Sequence, residues 1–171
     1  GGGMPPEAQL AQIAGQLPEA RPGAGVRIVN GNHLLARHRG RIVIEAAGAA
    51  CGPWEVAWQG EPVLALGAAV GEVRFETRAG EGIEASRVAA GRWRFGSRRG
   101  GERIRLAPGR PTRTLKNLLQ EADIPAWHRD RLPLLFEGGH LVWVPGVGIR
   151  ADYRAGPGAP GLEPRWTPPR G

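Results

Sequence analysis

Apolar positions along this chain recur with two different periods, and the switch between them predicts the order of its elements. Leu10, Ile13, Ala14 and Leu17 stand at i, i+3, i+4 and i+7, one face of a short helix over residues 5–17 that Pro18 stops. From Val26 the period shortens. Residues 26–29, 34–37 and 41–45 read as three strands, with Asn30-Gly31-Asn32 and His38-Arg39-Gly40 supplying turn chemistry between them. Short apolar or alternating runs at residues 54–59, 62–66, 72–77 and 83–88 continue an antiparallel meander, punctuated by Gly60, Gly67, Gly71 and Gly80. Val73 and Phe75 alternate with Glu72, Arg74 and Glu76, as in a sheet with one buried and one wet face.

Trp93-Arg94-Phe95 and the run from Glu102 to Leu106 are predicted as strands flanking the basic loop Ser97-Arg98-Arg99-Gly100-Gly101. Thr112 or Thr114 is placed to cap a helix whose buried stripe is Leu115, Leu118, Leu119 and Ala122, with Arg113, Lys116 and Gln120 on another face. Pro125 ends that helix and opens another reaching Leu132, with Trp127 and Arg131 one turn apart, and Pro133 forbids its continuation. Trp127, lying between Ile124-Pro125 and Leu132, is expected in the core rather than stacked on a ligand. Residues 134–136 and 141–144 form a hairpin about Gly138-Gly139. The last 16 residues hold five prolines and four glycines and read as a tail with little to bury apart from Trp166.

The expected fold class is therefore α+β: a short N-terminal helix, a strand-rich antiparallel region and a small mixed α/β C-terminal domain. Residues 1–4 read as a cloning remnant, 5–90 as a helix with a hairpin and meander linker, 91–155 as the C-terminal domain and 156–171 as the tail. The opening of the chain, a short helix before the strands, reads as that of a fragment.

Composition narrows the class. In 171 residues, 41% hydrophobic and 23% charged, there is enough apolar material for a core and no run that would span a membrane. One cysteine, Cys51, closes no intramolecular disulfide, and four scattered histidines form no zinc-finger pattern, so a reducing, cytoplasmic setting is expected. The net charge is +7, and its location is informative. Residues 92–131 carry eleven basic and four acidic side chains, while the rest of the chain holds twelve of each. The whole excess sits in one window, as a polyanion-binding surface requires. A solvated basic face without a ligand is the bland alternative.

Candidate chemistry outside that window is weak. Gly80-Glu81-Gly82-Ile83-Glu84-Ala85 matches a dinucleotide fingerprint in letters, but no helix pattern or βαβ spacing follows, so it reads as a turn. His33 and His38 lack partners for a tetrahedral metal set, Ser86 and Ser97 sit in no nucleophile elbow, and Cys51 has no adjacent basic group. Glu81 and Glu84 beside loop glycines read as solvent-facing. No catalytic constellation is legible.

Three stretches carry a resemblance. Arg98-Arg99-Gly100-Gly101-Glu102-Arg103-Ile104-Arg105-Leu106, then Leu115-Lys116-Asn117-Leu118-Leu119-Gln120-Glu121-Ala122-Asp123-Ile124-Pro125-Ala126-Trp127, then His128-Arg129-Asp130-Arg131-Leu132-Pro133-Leu134-Leu135 resemble the C-terminal domain of bacterial tRNA(Ile)-lysidine synthases. Val142-Trp143-Val144-Pro145-Gly146 closes the series, and the hairpin of residues 31–45 is similar to the segment preceding that domain. The resemblance implies a bacterial ligase that joins lysine to the wobble cytidine of an isoleucine tRNA. ATP, with Mg2+, would be held in an N-terminal PP-loop domain whose Ser-Gly-Gly-rich signature this chain lacks. It further implies that this chain holds no catalytic residue, cofactor or metal, and contacts tRNA around the acceptor stem. The residues expected to do so are Arg98, Arg99, Arg103, Arg105, Arg113, Lys116, Arg129 and Arg131, gripping phosphates and 2′-hydroxyls rather than reading bases. Asp130 is expected to orient an arginine or cap a helix. Thr112-Arg113-Thr114 and His128 depart from the family pattern, the first from its more basic approach to the helix. The expected partners are the isoleucine tRNA, the chain's own N-terminal catalytic domain and, in one version, a second copy, with no membrane. The rival readings are a basic interaction or dimerisation module that never touches tRNA, and a self-contained enzyme with an unrecognised site.

Overall fold

The computed structural model describes residues 27–30, 33–38, 41–46 and 52–169. The helix expected over residues 5–17, and Cys51, lie outside the described residues. The chain divides into two compact units, residues 1–48 and 49–171. The boundary expected between residues 90 and 91 falls inside the second.

In the first unit, β1 (Arg27–Asn30), β2 (His33–His38) and β3 (Arg41–Ala46) form an antiparallel sheet in that order. Asn30 pairs with His33 and His38 with Arg41, so each connection is only two residues long. Leu34, Leu35 and Ala36 of the central strand are buried, while Ile42 and Ile44 of the edge strand β3 are half exposed.

The second unit is built on two antiparallel sheets. One has five strands in the order β13-β12-β11-β8-β4: β4 (Glu55–Trp58), β8 (Trp93–Gly96), β11 (Leu134–Glu137), β12 (His140–Val144) and β13 (Gly148–Ile149). The other has four in the order β5-β6-β14-β7: β5 (Val63–Ala65), β6 (Glu72–Ala79), β7 (Ile83–Glu84) and β14 (Pro160–Thr167). A two-stranded ribbon pairs β9 (Arg103–Ile104) with β10 (Arg113–Thr114). Three short helices, α1 (Ala85–Ala90), α2 (Leu115–Glu121) and α3 (Ala126–Arg129), and a single 3-10 turn over Ala151–Tyr153 complete it. The architecture is α+β and strand-rich, as the periodicity implied.

Two apolar clusters lie on opposite faces of the five-stranded sheet. On one face Trp58, Trp93, Phe95, Leu135, Val142 and Trp143 meet Val73, Phe75 and Ile83 of the four-stranded sheet. Trp58 stacks on Phe75 at 4.0 Å between ring centroids and 11° between planes, and meets Trp93 edge-on at 5.8 Å. Such aromatic pairs add about 0.5–1.5 kcal/mol each beyond the area they bury. On the other face Leu134, Phe136, Leu141 and Val144 pack with Ile104 of β9 and Leu115, Leu118 and Leu119 of α2. A bulge makes both packings possible: Leu135 pairs with Trp143 and Phe136 with Leu141, leaving Val142 as the extra residue. Val142 and Trp143, neighbours in sequence, therefore both join the inter-sheet cluster.

The structure departs from the sequence reading in several places. Residues 83–88 are not one strand: the strand ends at Glu84 and α1 begins at Ala85. The second helix of the basic window is a single turn, Ala126–Arg129, rather than a run to Leu132. Trp127 is half-buried and belongs to neither apolar cluster, so it is not core. The C-terminal residues form no loose tail. β14 pairs with β6 through eight residues, from Pro160 opposite Ala79 to Thr167 opposite Glu72, and with β7 on its other side.

Proline and glycine argued against that strand, and local geometry shows why it forms. The Phe75 N–H donates to the Pro62 carbonyl at 2.8 Å, on the β5 side, so Phe75 and its partner Pro164 are a non-hydrogen-bonded pair. The N–H that Pro164 lacks would have pointed away from β6. β7 reaches only Gly161 and Leu162, so that side of Pro164 is unpaired. Gly161 lies so close to the chain before β7 that an added Cβ would stand 1.7 Å from the Glu81 carbonyl oxygen. Trp166 anchors the far end, its indole N–H donating to the Val70 carbonyl at 2.8 Å. Deleting residues 158–171 should therefore abolish the cooperative urea transition of the second unit. A truncated chain that still melts cooperatively, near the midpoint of the full chain, would mean that β14 is dispensable.

Candidate nucleic-acid interface

The basic window begins on β8, crosses the Gly-rich loop to β9, and continues through β10, α2 and α3. Its loop is held from within. Gly100 and Gly101 adopt φ of 92° and 82°, conformations in which only glycine is unstrained. The Glu102 carboxylate accepts hydrogen bonds from the N–H groups of Arg99 (2.5 Å) and Gly100 (2.8 Å). The Arg98 Nε lies 3.7 Å from the same carboxylate. The Glu102 carbonyl accepts the first free N–H of α2, from Leu115, at 2.8 Å. Thr114 occupies the N-cap position, but no threonine side chain caps the helix, contrary to the sequence expectation. One residue thus closes the loop and starts the helix.

Of the eight expected contact residues, several are engaged by partners within the unit. Arg98 faces Glu102, and Arg99 reaches Glu55, which it shares with Arg94. Arg105 pairs with Asp152, and Arg113 makes a two-pronged pair with Glu121 at the far end of α2. Arg103 donates to the Thr112 carbonyl at 3.3 Å and Arg129 to the Ile124 carbonyl at 2.8 Å, so both keep an uncompensated charge. Lys116 and Arg131 have no partner among the described residues. Arg92 and Arg110, both exposed and not among the eight, are equally unpaired. Arg94 lies with its guanidinium 4.3 Å from the centroid of the Phe136 ring.

Glu55 and Asp152, which neutralise part of the window, come from outside it. Asp152 stands between Arg105 and Arg150, with the Arg150 Nε at 3.4 Å. The hydrogen bond from Arg105 holds the Asp152 carboxyl below its ordinary value, and the Arg113 bond does the same for Glu121. Among the described residues, no three His, Cys, Asp or Glu side chains converge as a metal site would need. No helix among them is long and apolar enough to cross a membrane.

A family model described as TilS substrate C-terminal domain matches residues 92–166. This chain carries a domain of that family. It runs from the start of β8 into β14 and so takes in the basic window, the bulged hairpin, α2 and the closing strand. The inter-sheet core, however, also draws Trp58, Val73 and Phe75 from before its first residue. The tRNA(Ile)-lysidine synthase of Azoarcus sp. (strain BH72) is 41% identical over 169 residues, which are 98% of this chain and 36% of that protein. The tRNA(Ile)-lysidine synthase of Nitrosomonas europaea is 35% identical over 96% of this chain and 36% of its own length. That of Ralstonia nicotianae is 39% identical over 94% of this chain, again 36% of its own. The chain thus spans about a third of the length of these curated relatives. A solved structure described as "Crystal structure of TILS C-terminal domain" is 20% identical, covering 68% of this chain and 98% of its own, with a TM-score of 0.48.

Two measurements test how the lysidine synthase-type domain holds its basic window. Glu102→Ala removes two hydrogen bonds to the exposed Arg99 and Gly100 amides and should cost about 1 kcal/mol in urea unfolding. It should also raise hydrogen exchange at the Gly100 amide, and unchanged exchange there would show that the loop needs no internal anion. The second concerns pH. A carboxyl whose folded value lies below its unfolded value of about 3.9 contributes stability above that value and loses it as pH falls through the folded one. Asp152→Asn should therefore make the fall of the urea midpoint below about pH 4 shallower. Parallel acid profiles for the two proteins would remove the pair from the account.

Proposed function

We propose that this chain is the tRNA-gripping C-terminal part of an ATP-dependent tRNA(Ile)-lysidine synthase, and that its basic window holds the acceptor stem of the isoleucine tRNA. The observation carrying this reading is the concentration of the whole net charge in residues 92–131, where Arg92, Arg110, Lys116 and Arg131 retain no acidic partner. Arg103 and Arg129, bonded only to carbonyls, add to them. Cations free of internal partners are the ones that meet a phosphate without first breaking an ion pair. Arg98, Arg99, Arg105 and Arg113 instead shape the surface, while their remaining N–H groups stay able to reach a backbone oxygen.

The preference for a stem follows from size and from RNA geometry. A-form duplexes present phosphates and 2′-hydroxyls, which arginines and a lysine on short, rigid elements can track without base readout. A unit of about 120 residues is on the order of 30–35 Å across and covers one arm of a tRNA rather than both ends. The bond-forming chemistry acts at the wobble base, in a PP-loop domain beyond this chain, and a grip that leaves that base free belongs on a distant arm. ATP and Mg2+ belong to that domain, and this chain by itself should form no lysidine.

Fluorescence anisotropy of the chain against isoleucine tRNA, an acceptor and T-arm minihelix, and an isolated anticodon stem-loop tests the assignment. The minihelix should bind nearly as tightly as the tRNA, with log affinity falling by about 0.7–0.9 per phosphate contact for each tenfold rise in salt. Lys116→Glu with Arg131→Glu should weaken binding and flatten that slope by roughly two contacts. Arg113→Glu, already engaged by Glu121, should do less. Preference for the anticodon stem-loop, or affinity insensitive to salt, would overturn the reading.

A further inference from the structure

A groove of about 590 Å³ runs between α3, the end of β12 and the end of β14, and the phosphate grip described above leaves it unused. Its walls are mostly apolar, with Trp143, Trp166, Pro145 and Pro164, and also include the side chains of His128 and Arg165. Both indoles are fixed from behind. Trp143 meets Phe95 edge-on at 6.3 Å, and the Trp166 N–H is spent on the Val70 carbonyl at 2.8 Å. Trp166, partly buried and with its N–H already satisfied, offers a ligand its ring face and little else, while Trp143, 6% exposed, belongs to the inter-sheet core behind it. The wall from Ile124 to Leu132 belongs to the basic window, and the unpaired Arg131 directly precedes the lining residue Leu132.

We propose that this groove is a stacking site for unpaired nucleobases, those of the single-stranded 3′ end that continues from the stem gripped by the basic window. The inference rests on the tRNA reading given above. Charge complementarity favours RNA over an apolar peptide, because Arg165 lines the groove and the wall formed by Ile124, Pro125 and His128 adjoins the cations of the basic window. Within RNA, base faces in a duplex are already covered by their neighbours, and only unstacked bases have a π face to give. Fixed aromatic platforms beside cations hold single strands without regard to sequence, because every base has such a face. The volume is of ligand size and suits one or two bases rather than a duplex end.

The test uses the full chain and three forms of the acceptor minihelix: blunt, with a short single-stranded 3′ tail, and with the same tail made abasic. The tail should strengthen binding roughly fivefold or more for each stacked base. The abasic tail, which keeps the phosphates, should bind like the blunt form. Trp166→Leu, checked for a cooperative thermal transition, should lose the increment. If it fails to fold, the abasic comparison decides alone, since it leaves the protein untouched. Equal affinity for blunt and tailed forms, or an increment that the abasic tail retains, would overturn the groove assignment while leaving the phosphate grip standing. Failure of the chain to bind either form would overturn both. A sedimentation mass that rises with concentration in the parent chain, and not in Trp166→Leu, would give the groove to a second copy and also overturn the proposal.

Discussion

The stack of Trp58 on Phe75 joins the two sheets of the second unit, and the arrangement of the basic window depends on it. Each sheet alone would leave a hydrophobic face in water. At a centroid distance of 4.0 Å the two rings are in contact, and Trp93, Phe95 and Trp143 extend the contact by edge-on packing across the five-stranded sheet. With that face covered, the opposite face of the same sheet is left to α2 and β9, the elements that carry Arg103, Lys116 and their neighbours. The five-stranded sheet is the middle of three layers. Its bulge at Val142 adapts one strand to partners on both sides.

Charge in the basic window is sorted by geometry rather than by sequence position. Glu102 turns its carboxylate inward to close the loop, which removes one acid from the surface and leaves Arg99 and Arg98 pointing from a shaped backbone. Glu55 and Asp152 arrive from other strands and turns to pair with Arg94, Arg99 and Arg105. The cations left over lie on β9, α2, α3 and the segment after it, and on the approaches to β8 and β10. Exposed ion pairs contribute little stability, about 0–1 kcal/mol each, so these pairings matter chiefly for where side chains point.

β14 serves two purposes with one strand. Its outer face continues a band of alternating charge, in which Arg165 bonds Glu76 and Glu163 while Arg78 bonds Glu76 and Glu163 in turn. These diagonal contacts relieve the like-charge pairs that the register sets directly opposite, Glu163 with Glu76 and Arg165 with Arg74. Its end also carries Pro164 and Trp166 to the groove beside α3, so the strand that completes the sheet completes the groove too.

The alternation of Val73 and Phe75, the stripe Leu115, Leu118 and Leu119, the hairpin before Leu141 and the charge excess of residues 92–131 were all legible in the sequence, because each is a local pattern. So was the family, because its motifs are runs of neighbouring residues. What the sequence did not disclose depended on residues far apart. Pro160, Gly161 and Pro164 disfavour a strand by themselves, yet β14 forms because β6 supplies a ladder in which the missing N–H falls on the unpaired side. Trp127 has the flanks of a core residue and lies outside both clusters, since α3 ends after one turn. Arg99 and Arg105 look like free cations until Glu55 and Asp152, 44 and 47 residues away, come into reach. Local composition sets which residues can form a strand, a stripe or a charged surface, but which strand is paired and which cation is left unpaired is decided by contacts that exist only once the sheets have closed on each other.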